Sequence, residues 1–283
     1  MKVFKYWARA TASVDSPQGP WELGQYAGSN ESPEQAQQRA EERVRVARQR
    51  LSGQHLPPHQ QYDYGEQGAL REEVVEEYPD NGQLKAVITR NIYGALVLNT
   101  ADLLIADIDL PVESATSAFA RWWNQLWGRS VESPQAKIID RVQRVATEQG
   151  LSLRLYRTFA GFRCLVTNRT FEPTSDEATA LLADLDTDPL YIKLCTAQEC
   201  FRARLSPKPW RCNLPRPPHR FPYRSAAAAA AQQKWEEKYA AAVSDYSTCQ
   251  LIESFGDSRA IASLRSLVDL HDRLACAGDG PLA

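Results

Sequence analysis

One short segment restricts the fold of this chain more than any other: Leu103 to Asp109, which reads Leu-Leu-Ile-Ala-Asp-Ile-Asp. Its continuous apolar start predicts a strand covered on both faces, which is typical of a central strand in a sheet. Because alternate side chains of a strand point to the same face, Asp107 and Asp109 are predicted to lie side by side. The chain must therefore build a sheet around this strand and place two acids at its end.

Composition favours a globular protein. The chain has 283 residues, of which 24% are charged and 43% hydrophobic, and this balance excludes collagen-like, coiled-coil and wholly disordered chains. The length suits one large domain or two small ones. With 33 basic and 35 acidic residues the net charge is −2, so a binding site for nucleic acid or another polyanion has to be local.

The sequence also predicts a cytoplasmic protein without a membrane partner. No apolar run approaches the roughly 18 residues that span a bilayer, and the first residues lack the apolar core of a signal peptide. Six cysteines are too sparse for a disulfide scaffold, so we expect reduced thiols or metal ligands. Nothing in the sequence identifies protein partners.

Residues 1–69 are predicted to form an N-terminal β-hairpin, a helix and a loop. Alternating stretches at 3–14 and 21–26 flank the turn at 17–20. Ser32-Pro33-Glu34-Gln35 is typical of a helix start, and Gly53 marks the end of that helix. The Pro-containing stretch 54–69 predicts a surface loop.

Residues 70–210 are predicted to form an α+β core. Strands are expected at 72–77, 85–90, 94–98, 103–109, 151–157, 162–167, 190–194 and 201–205, and helices at 113–127, 135–149 and 175–185. Without the Trp-rich helix at 113–127, the order from 103 to 205 is strand, helix, strand, strand, helix, strand. This order predicts a ferredoxin-like, or RRM-like, split βαβ sheet. Residues 211–283 are predicted to be a Pro-rich segment followed by C-terminal helices.

The two acids at the end of the central strand predict a divalent-metal site. Carboxylates held this close repel each other unless a cation lies between them, and Mg²⁺ and Mn²⁺ prefer oxygen ligands. The alternative is a strand that leaves the core, with Asp107 and Asp109 solvated or paired with basic side chains. We expect Mg²⁺ or Mn²⁺ as the cofactor.

A basic stretch follows the predicted core. Between residues 193 and 224 there are eight lysines and arginines and one acid, Glu199, for a local charge of +7. The cations are Lys193, Arg202, Arg204, Lys208, Arg211, Arg216, Arg220 and Arg224. Because Arg202 and Arg204 share a strand face and Lys208 follows the strand end, they are predicted to converge on a polyphosphate. The alternative is a surface that balances the acidic remainder of the chain.

Aromatic residues lie among these cations, and this mixture is typical of single-stranded nucleic-acid binding by stacking. They are Phe201, Trp210, Phe221 and Tyr223. We therefore predict that Trp210, Arg211 and Arg216 contact nucleic acid. The hairpin from Arg157 to Arg163 adds one further candidate for nucleotide or phosphate binding: Arg163, at the start of a strand after Gly161, which permits close approach of a ligand.

Two other groups of residues are weaker candidates. Cys195, Cys200, Cys212 and His219 supply four zinc ligands in order, but neither cysteine pair has the tight C-x2-C spacing of structural zinc sites, so zinc is not favoured. His271 and Asp272 lie on an amphipathic segment and are predicted to make capping or surface contacts.

Together these motifs resemble the archaeo-eukaryotic primase superfamily, which includes primase-polymerases. The strand from Leu103 to Asp109 is similar to its hydrophobic D-x-D strand, and Asp188-Pro189-Leu190-Tyr191, Phe201-Arg202 and Lys208 are similar to its later acid and F-R strand. The resemblance implies an RRM-like catalytic core with Asp107, Asp109 and Asp188 as metal ligands. It also implies that Arg202 and Lys208 hold a triphosphate.

The resemblance covers about residues 85 to 210 and has one departure. Gly161-Phe162-Arg163 stands where a Ser-x-His signature is expected. Arginine can bind phosphate, but it does not reproduce the hydrogen bonding of histidine.

These features predict a divergent primase-like, metal-dependent nucleotidyl-transfer protein that acts on nucleic acid and a nucleoside triphosphate. One alternative is a catalytically inactive nucleic-acid-binding module. Another is a metal-dependent phosphodiesterase or cyclase-like enzyme on a similar sheet, since a fold does not determine a reaction.

Overall fold

The computed structural model describes residues 1–15, 19–52, 68–80, 82–110, 133–277 and 280–283. These residues form an α+β structure with three antiparallel sheets. The predicted Trp-rich helix at 113–127 and most of the predicted loop at 54–69 lie outside the described residues. Within the described ranges, no helix is both long and apolar enough to cross a membrane.

The N-terminal segment is a two-stranded hairpin packed against a helix, as the sequence predicts. Strands β1 (Tyr6–Val14) and β2 (Trp21–Ser29) pair along their whole length. Helix α1 (Pro33–Leu51) starts at Ser32, whose side chain accepts a hydrogen bond from Gln35 N at 3.1 Å. The buried residues of α1 lie on one stripe, and two of them, Ala40 and Val44, form a small core with the hairpin.

One four-stranded sheet contains most of the predicted meander. Its strands, in spatial order, are β3 (Glu73–Asp80), β4 (Gln83–Arg90), β5 (Leu96–Thr100) and β9 (Phe201–Arg204). In β9 the apolar side chains of Phe201 and Ala203 are buried in the main core. The alternating residues, Arg202 and Arg204, therefore lie on the other face of the strand.

The second four-stranded sheet contains the two acids. Its spatial order is β10 (Cys249–Phe255), β7 (Leu153–Thr158), β8 (Gly161–Val166) and β6 (Ile105–Asp109). The register places Asp107 opposite Arg163 and Asp109 opposite Gly161. A Cβ atom at Gly161 would lie 2.0 Å from the carbonyl oxygen of Ile108, so only glycine permits this close approach.

Helices α2 (Pro134–Glu148), α3 (Asp176–Asp184) and α6 (Ala262–Ala275) bury apolar side chains in one core with both four-stranded sheets. Helix α5 (Ala226–Val243) packs Trp235 and Tyr239 beside the basic stretch. Helix α4 (Pro189–Gln198) occupies the segment for which we predicted a strand at 190–194. That prediction is wrong because Asp188 caps the helix and Pro189 begins it, and these local signals favour a helix.

The prediction that β6 is central is also wrong, because β6 is an edge strand of its hydrogen-bonded sheet. Its apolar residues are nevertheless buried because β9 lies alongside it. The hydroxyl of Tyr191 joins the two strands: it lies 2.8 Å from the carbonyl oxygen of Ile105 and accepts from Arg202 N at 3.0 Å. The ferredoxin-like split core is thus not confirmed, since its last strand, β9, pairs with β5 in the other sheet.

Candidate functional site

Three carboxylates meet at the end of β6 and the start of α4. Asp107 and Asp109 lie two residues apart on β6, and the amide nitrogen of Asp188 approaches the carbonyl oxygen of Asp107 at 3.4 Å. Burial, followed by the negative charges of Asp107 and Asp188, raises the pKa of Asp109. The structure therefore brings together the three acids that the sequence predicts, close enough for their charges to interact.

Arg163 is the buried cation beside these acids. Its side chain is 2% exposed, and its Nε lies 3.5 Å from the Oδ1 of Asp107 on the neighbouring strand. Its Nη1 donates to the carbonyl oxygen of Arg204 at 2.9 Å, which links β8 to β9. Burial lowers the pKa of Arg163, but the carboxylate of Asp107 raises it, and the net shift is upward. Arg163 therefore remains charged and partly neutralises Asp107.

Three further cations lie close enough for their charges to interact with this group: Arg204, Lys208 and Arg211. Burial, followed by the nearby charge of Arg163, lowers the pKa of Arg204 to about 10. Burial and the charges of Arg204 and Arg211 lower the pKa of Lys208, and the positive charges of Arg204 and Lys208 act on Asp109. The site thus contains a group of carboxylates beside a group of cations. Within each group the like charges repel one another.

These cations have donors without partners in the described part of the chain. Nε of Arg204 and Nη1 of Arg211 are buried and make no hydrogen bond there. Among the same residues, no carboxylate lies within 4.0 Å of the charged nitrogens of Arg204, Lys208 or Arg211. Because burying an unpaired cation is costly, this arrangement suits an anion with several oxygen atoms, such as a phosphate chain.

Arg202, which we predicted to bind phosphate with Arg204 and Lys208, is engaged elsewhere. Its Nη2 donates to both carboxylate oxygens of Glu72, at 2.8 and 2.6 Å. Glu72 also accepts a hydrogen bond from Thr89, which in turn accepts from Asn99 at 2.9 Å. The structure therefore pairs Arg202 with Glu72 and not with the proposed phosphate ligand.

The predicted nucleic-acid-binding residues form a surface of cations stacked on rings. Trp210 is 40% exposed, and the guanidinium of Arg216 lies 5.1 Å from its ring. The guanidinium of Arg211 lies 3.9 Å from the ring of Phe159, which is 52% exposed at the tip of the β7–β8 hairpin. Tyr93 contacts Trp210 edge to face at 5.4 Å. We did not predict Tyr93 and Phe159, because residues so distant in sequence meet only in the fold.

The four weak zinc candidates are dispersed. Cys195, Cys200 and Cys212 are buried on α4, before β9 and in a short 3₁₀ helix, and burial raises the pKa of the Cys195 and Cys200 thiols to about 12 and 11. His219 lines a small pocket with Arg71 and Arg220. Within the described ranges no three His, Cys, Asp or Glu side chains are arranged to hold a metal ion.

That finding includes Asp107, Asp109 and Asp188, so these three acids are not a preformed metal site. Their chemistry nevertheless fits Mg²⁺ or Mn²⁺, because all three offer carboxylate oxygens. Burial and then the charges of Asp107 and Asp188 raise the pKa of Asp109, and the nearby charges of Lys208 and Arg204 act in the opposite direction. A bound divalent cation would remove the repulsion between these carboxylates.

His271 and Asp272 are not the surface contacts that we predicted. His271 is fully buried, with its Nε2 3.3 Å from Nη1 of Arg163 and its Nδ1 2.9 Å from Oδ1 of Asp272. Asp272 also accepts from the hydroxyl of Tyr156 at 2.6 Å and from Arg154 at 2.7 Å. The sequence did contain a signal, since His271 shares the apolar stripe of α6 with Leu264, Leu267 and Val268.

The chain was compared with known proteins in three ways. A scan against protein-family models, a search of curated proteins and a search of solved structures each found no match to this chain.

Proposed function

We propose that this chain is a divergent primase-like protein that carries out divalent-metal-dependent nucleotidyl transfer on nucleic acid, with a nucleoside triphosphate as substrate. One observation carries the proposal: three carboxylates at one end of β6 lie near cations that have no carboxylate partner in the described residues, namely Arg204, Lys208 and Arg211. Two buried donors of this group, Nε of Arg204 and Nη1 of Arg211, make no hydrogen bond there. This charge layout is what phosphoryl chemistry needs.

The proposal gives each charged group a role. Asp107, Asp109 and Asp188 would hold Mg²⁺ or Mn²⁺, which when bound offsets phosphate charge and favours attack by a hydroxyl. Arg204, Lys208 and Arg211 would donate hydrogen bonds to the phosphate oxygens. Arg163, held between Asp107 and the backbone of β9, would keep Asp107 in position.

The same proposal includes a modified ferredoxin-like core. Strands β6, β8 and β7 are neighbours in the order expected for such a core, and β9 lies beside β6 where the last strand belongs. We infer that the core has kept this order while β9 pairs with the other sheet.

A second candidate is a catalytically inactive module that binds nucleic acid. The observation in its favour is that Arg163 lies 3.5 Å from Asp107, so that a fixed positive charge already neutralises one proposed ligand. In this case the stacked surface of Trp210, Arg211, Arg216 and Phe159 would bind single strands without nucleotide incorporation.

The experiment measures binding of a nucleoside triphosphate by calorimetry with and without Mn²⁺, and extension of a primed template. Wild type is compared with Asp107→Asn and Asp109→Asn. The matched control is Asp140→Asn, which changes an exposed acid on α2. We expect Mn²⁺-dependent binding and extension in wild type and in the control, and loss of both in the two site variants with their circular dichroism spectra unchanged.

Other outcomes separate the alternatives. Nucleic-acid binding without nucleotide binding or extension would replace the proposal with the inactive module. Hydrolysis of a phosphodiester, or release of a cyclic nucleotide, would indicate the third reaction class. Unfolding of both site variants would show that these acids are structural.

A further inference from the structure

Two cysteines outside the proposed site lie in contact. The Sγ atoms of Cys249 and Cys276 are 3.6 Å apart, although 27 positions separate them in the sequence. Cys249 is the first residue of β10 and is fully buried, whereas Cys276 follows α6 and is partly exposed. Cys195, Cys200 and Cys212 have no contact of this kind among the described residues, so this pair is distinct from the other thiols.

The backbone holds the two cysteines in this position. The amide nitrogen of Thr248 donates to the carbonyl oxygen of Ala275 at 2.9 Å, so the residues immediately before both cysteines are hydrogen-bonded. A disulfide requires an S–S distance of about 2.05 Å and Cβ atoms about 3.5 to 4.5 Å apart. Sulfur atoms already 3.6 Å apart on a fixed backbone need only a small movement to reach bonding distance.

The surroundings also favour the chemistry. The thiol of Cys276 hydrogen-bonds to the Cys249 sulfur, and His271 and Arg163 lie nearby, so the pKa of Cys249 is lowered. His271 Nε2 is 3.9 Å from the Cys249 sulfur. A thiolate is the form that attacks a disulfide, and Cys249 therefore has the character of a resolving thiol next to a more accessible one.

We propose that Cys249 and Cys276 form a reversible disulfide through exchange with a small disulfide such as oxidised glutathione. The two sulfur atoms share one proton, and Cys276 transfers it to Cys249 as the accessible Cys276 sulfur attacks one glutathione sulfur, which forms a mixed disulfide and releases one glutathione thiolate. Cys249 then releases this proton to solvent and attacks the Cys276 sulfur, and the second glutathione thiolate leaves. The two cysteines lose two electrons and their shared proton, and one oxidised glutathione, with one further proton from solvent, becomes two reduced glutathione molecules.

This disulfide would form close to the proposed site, with His271 between Cys249 and Arg163. The same His271 Nε2 atom that faces the Cys249 sulfur lies 3.3 Å from Arg163, which contacts Asp107. The oxidation reaction does not depend on the proposed function and can be tested without any nucleotide.

The test equilibrates the full-length protein in glutathione buffers from fully reducing to oxidising and unfolds it in guanidinium chloride with excess N-ethylmaleimide, so that the buried free thiols are also blocked. Intact mass and peptide masses are then measured. Reduced wild type should carry six blocked cysteines, since all six are free. Oxidised wild type should carry four, with a peptide that joins Cys249 to Cys276. Closing this loop should also raise Tm by roughly 5 °C, because it constrains the unfolded chain.

Variants make the result specific. Cys276→Ser changes the more exposed member and should abolish both the cross-linked peptide and the rise in Tm. Cys212→Ala should retain both, because Cys212 lies elsewhere in the fold. Six blocked cysteines in wild type under oxidising conditions, or only a stable glutathione adduct on Cys276, would overturn the proposal.

Discussion

Arg202 and Arg204 are two residues apart on β9 and have opposite surroundings. Arg202 makes a bidentate ion pair with Glu72, within a hydrogen-bonded cluster that also contains Thr89 and Asn99. Arg204 has no acidic partner among the described residues. The Nε atoms of both arginines are buried and make no hydrogen bond there, so the two differ in the ion pair. The same residue type on the same strand face thus has a carboxylate partner at one position and none at the other.

The difference indicates which arginine serves stability and which serves binding. A buried arginine with its own carboxylate contributes to the fold and is not available to a ligand. A buried arginine that faces other cations destabilises the empty protein and is stabilised when an anion arrives. Under the proposed function, Arg202 serves the fold and Arg204 binds the ligand, and the following predictions test this contrast.

The largest expected effect is on stability. Arg202→Ala leaves Glu72, which is 9% exposed, as an unpaired buried carboxylate, and should lower the free energy of unfolding by about 3 kcal/mol. Urea denaturation measures this loss. The double variant Arg202→Ala with Glu72→Gln should recover part of it, and equal stability of the single and double variants would show that the ion pair is unimportant.

The next effect is on binding. Arg204→Ala should weaken Mn²⁺-dependent binding of a nucleoside triphosphate by roughly 10- to 100-fold, because charge-assisted hydrogen bonds to phosphate are lost. Its stability without ligand should not fall, since Arg204 has no ion pair to lose and its charge is repelled by neighbouring cations. Arg265→Ala, which changes an exposed arginine on α6, is the control. A large loss of stability without a loss of affinity would reverse the contrast with Arg202.

A smaller effect is expected at the stacked surface. Replacing both Arg211 and Arg216 by alanine should weaken single-stranded DNA binding about tenfold and reduce the salt dependence of log K by about 1.4, from roughly 0.7 per lost phosphate contact. Fluorescence anisotropy at several salt concentrations measures both quantities. Trp210→Ala should lower the affinity without changing the salt slope, because stacking is not ionic. An unchanged slope in the arginine variant would show that the two cations do not contact phosphates.

The smallest effect concerns Asp109 and pH. Because its pKa is raised in the folded protein, ionisation of Asp109 disfavours folding, and stability from this group is lost as pH rises through the folded-state pKa. Asp109→Asn should therefore raise the free energy of unfolding at pH 7 by roughly 0.5 kcal/mol, after allowance for solvent screening. The gain should disappear at low pH, where the wild-type carboxyl is protonated. Denaturation at pH 4 and pH 7 tests this, and a gain that persists at low pH would point to another cause.

Local signals predicted much of the fold. The hairpin and capped helix at the N-terminus, the strands around Asp109 and helix α2 all follow from alternation, capping residues and apolar spacing. The strand order did not, because which strands pair depends on contacts between distant segments. The pairing of β9 with β5, and the joining of β10 to β7, have no signal in any short stretch of sequence.

For the candidate site, too, local sequence signals predicted some features, whereas contacts between distant segments were not predicted. The D-x-D spacing indicated that Asp107 and Asp109 share a face, and the motif at Asp188 placed a third acid near them. The role of Arg202 was not predictable from its neighbours, because its partner Glu72 lies 130 positions earlier in the chain. The contact of His271 with Arg163 likewise joins residues 108 positions apart.

The Tyr191 hydroxyl should determine how fast one backbone amide hydrogen between β6 and β9 exchanges with solvent. Paired strands are joined by a series of backbone hydrogen bonds. Strands β6 and β9 are joined instead through the Tyr191 side chain, whose hydroxyl accepts from Arg202 N and donates to the carbonyl oxygen of Ile105. The exchange rate of the Arg202 amide hydrogen therefore depends on its hydrogen bond to the Tyr191 hydroxyl. In Tyr191→Phe this amide should exchange with solvent deuterium much faster, while amides within the β5–β9 ladder keep their protection.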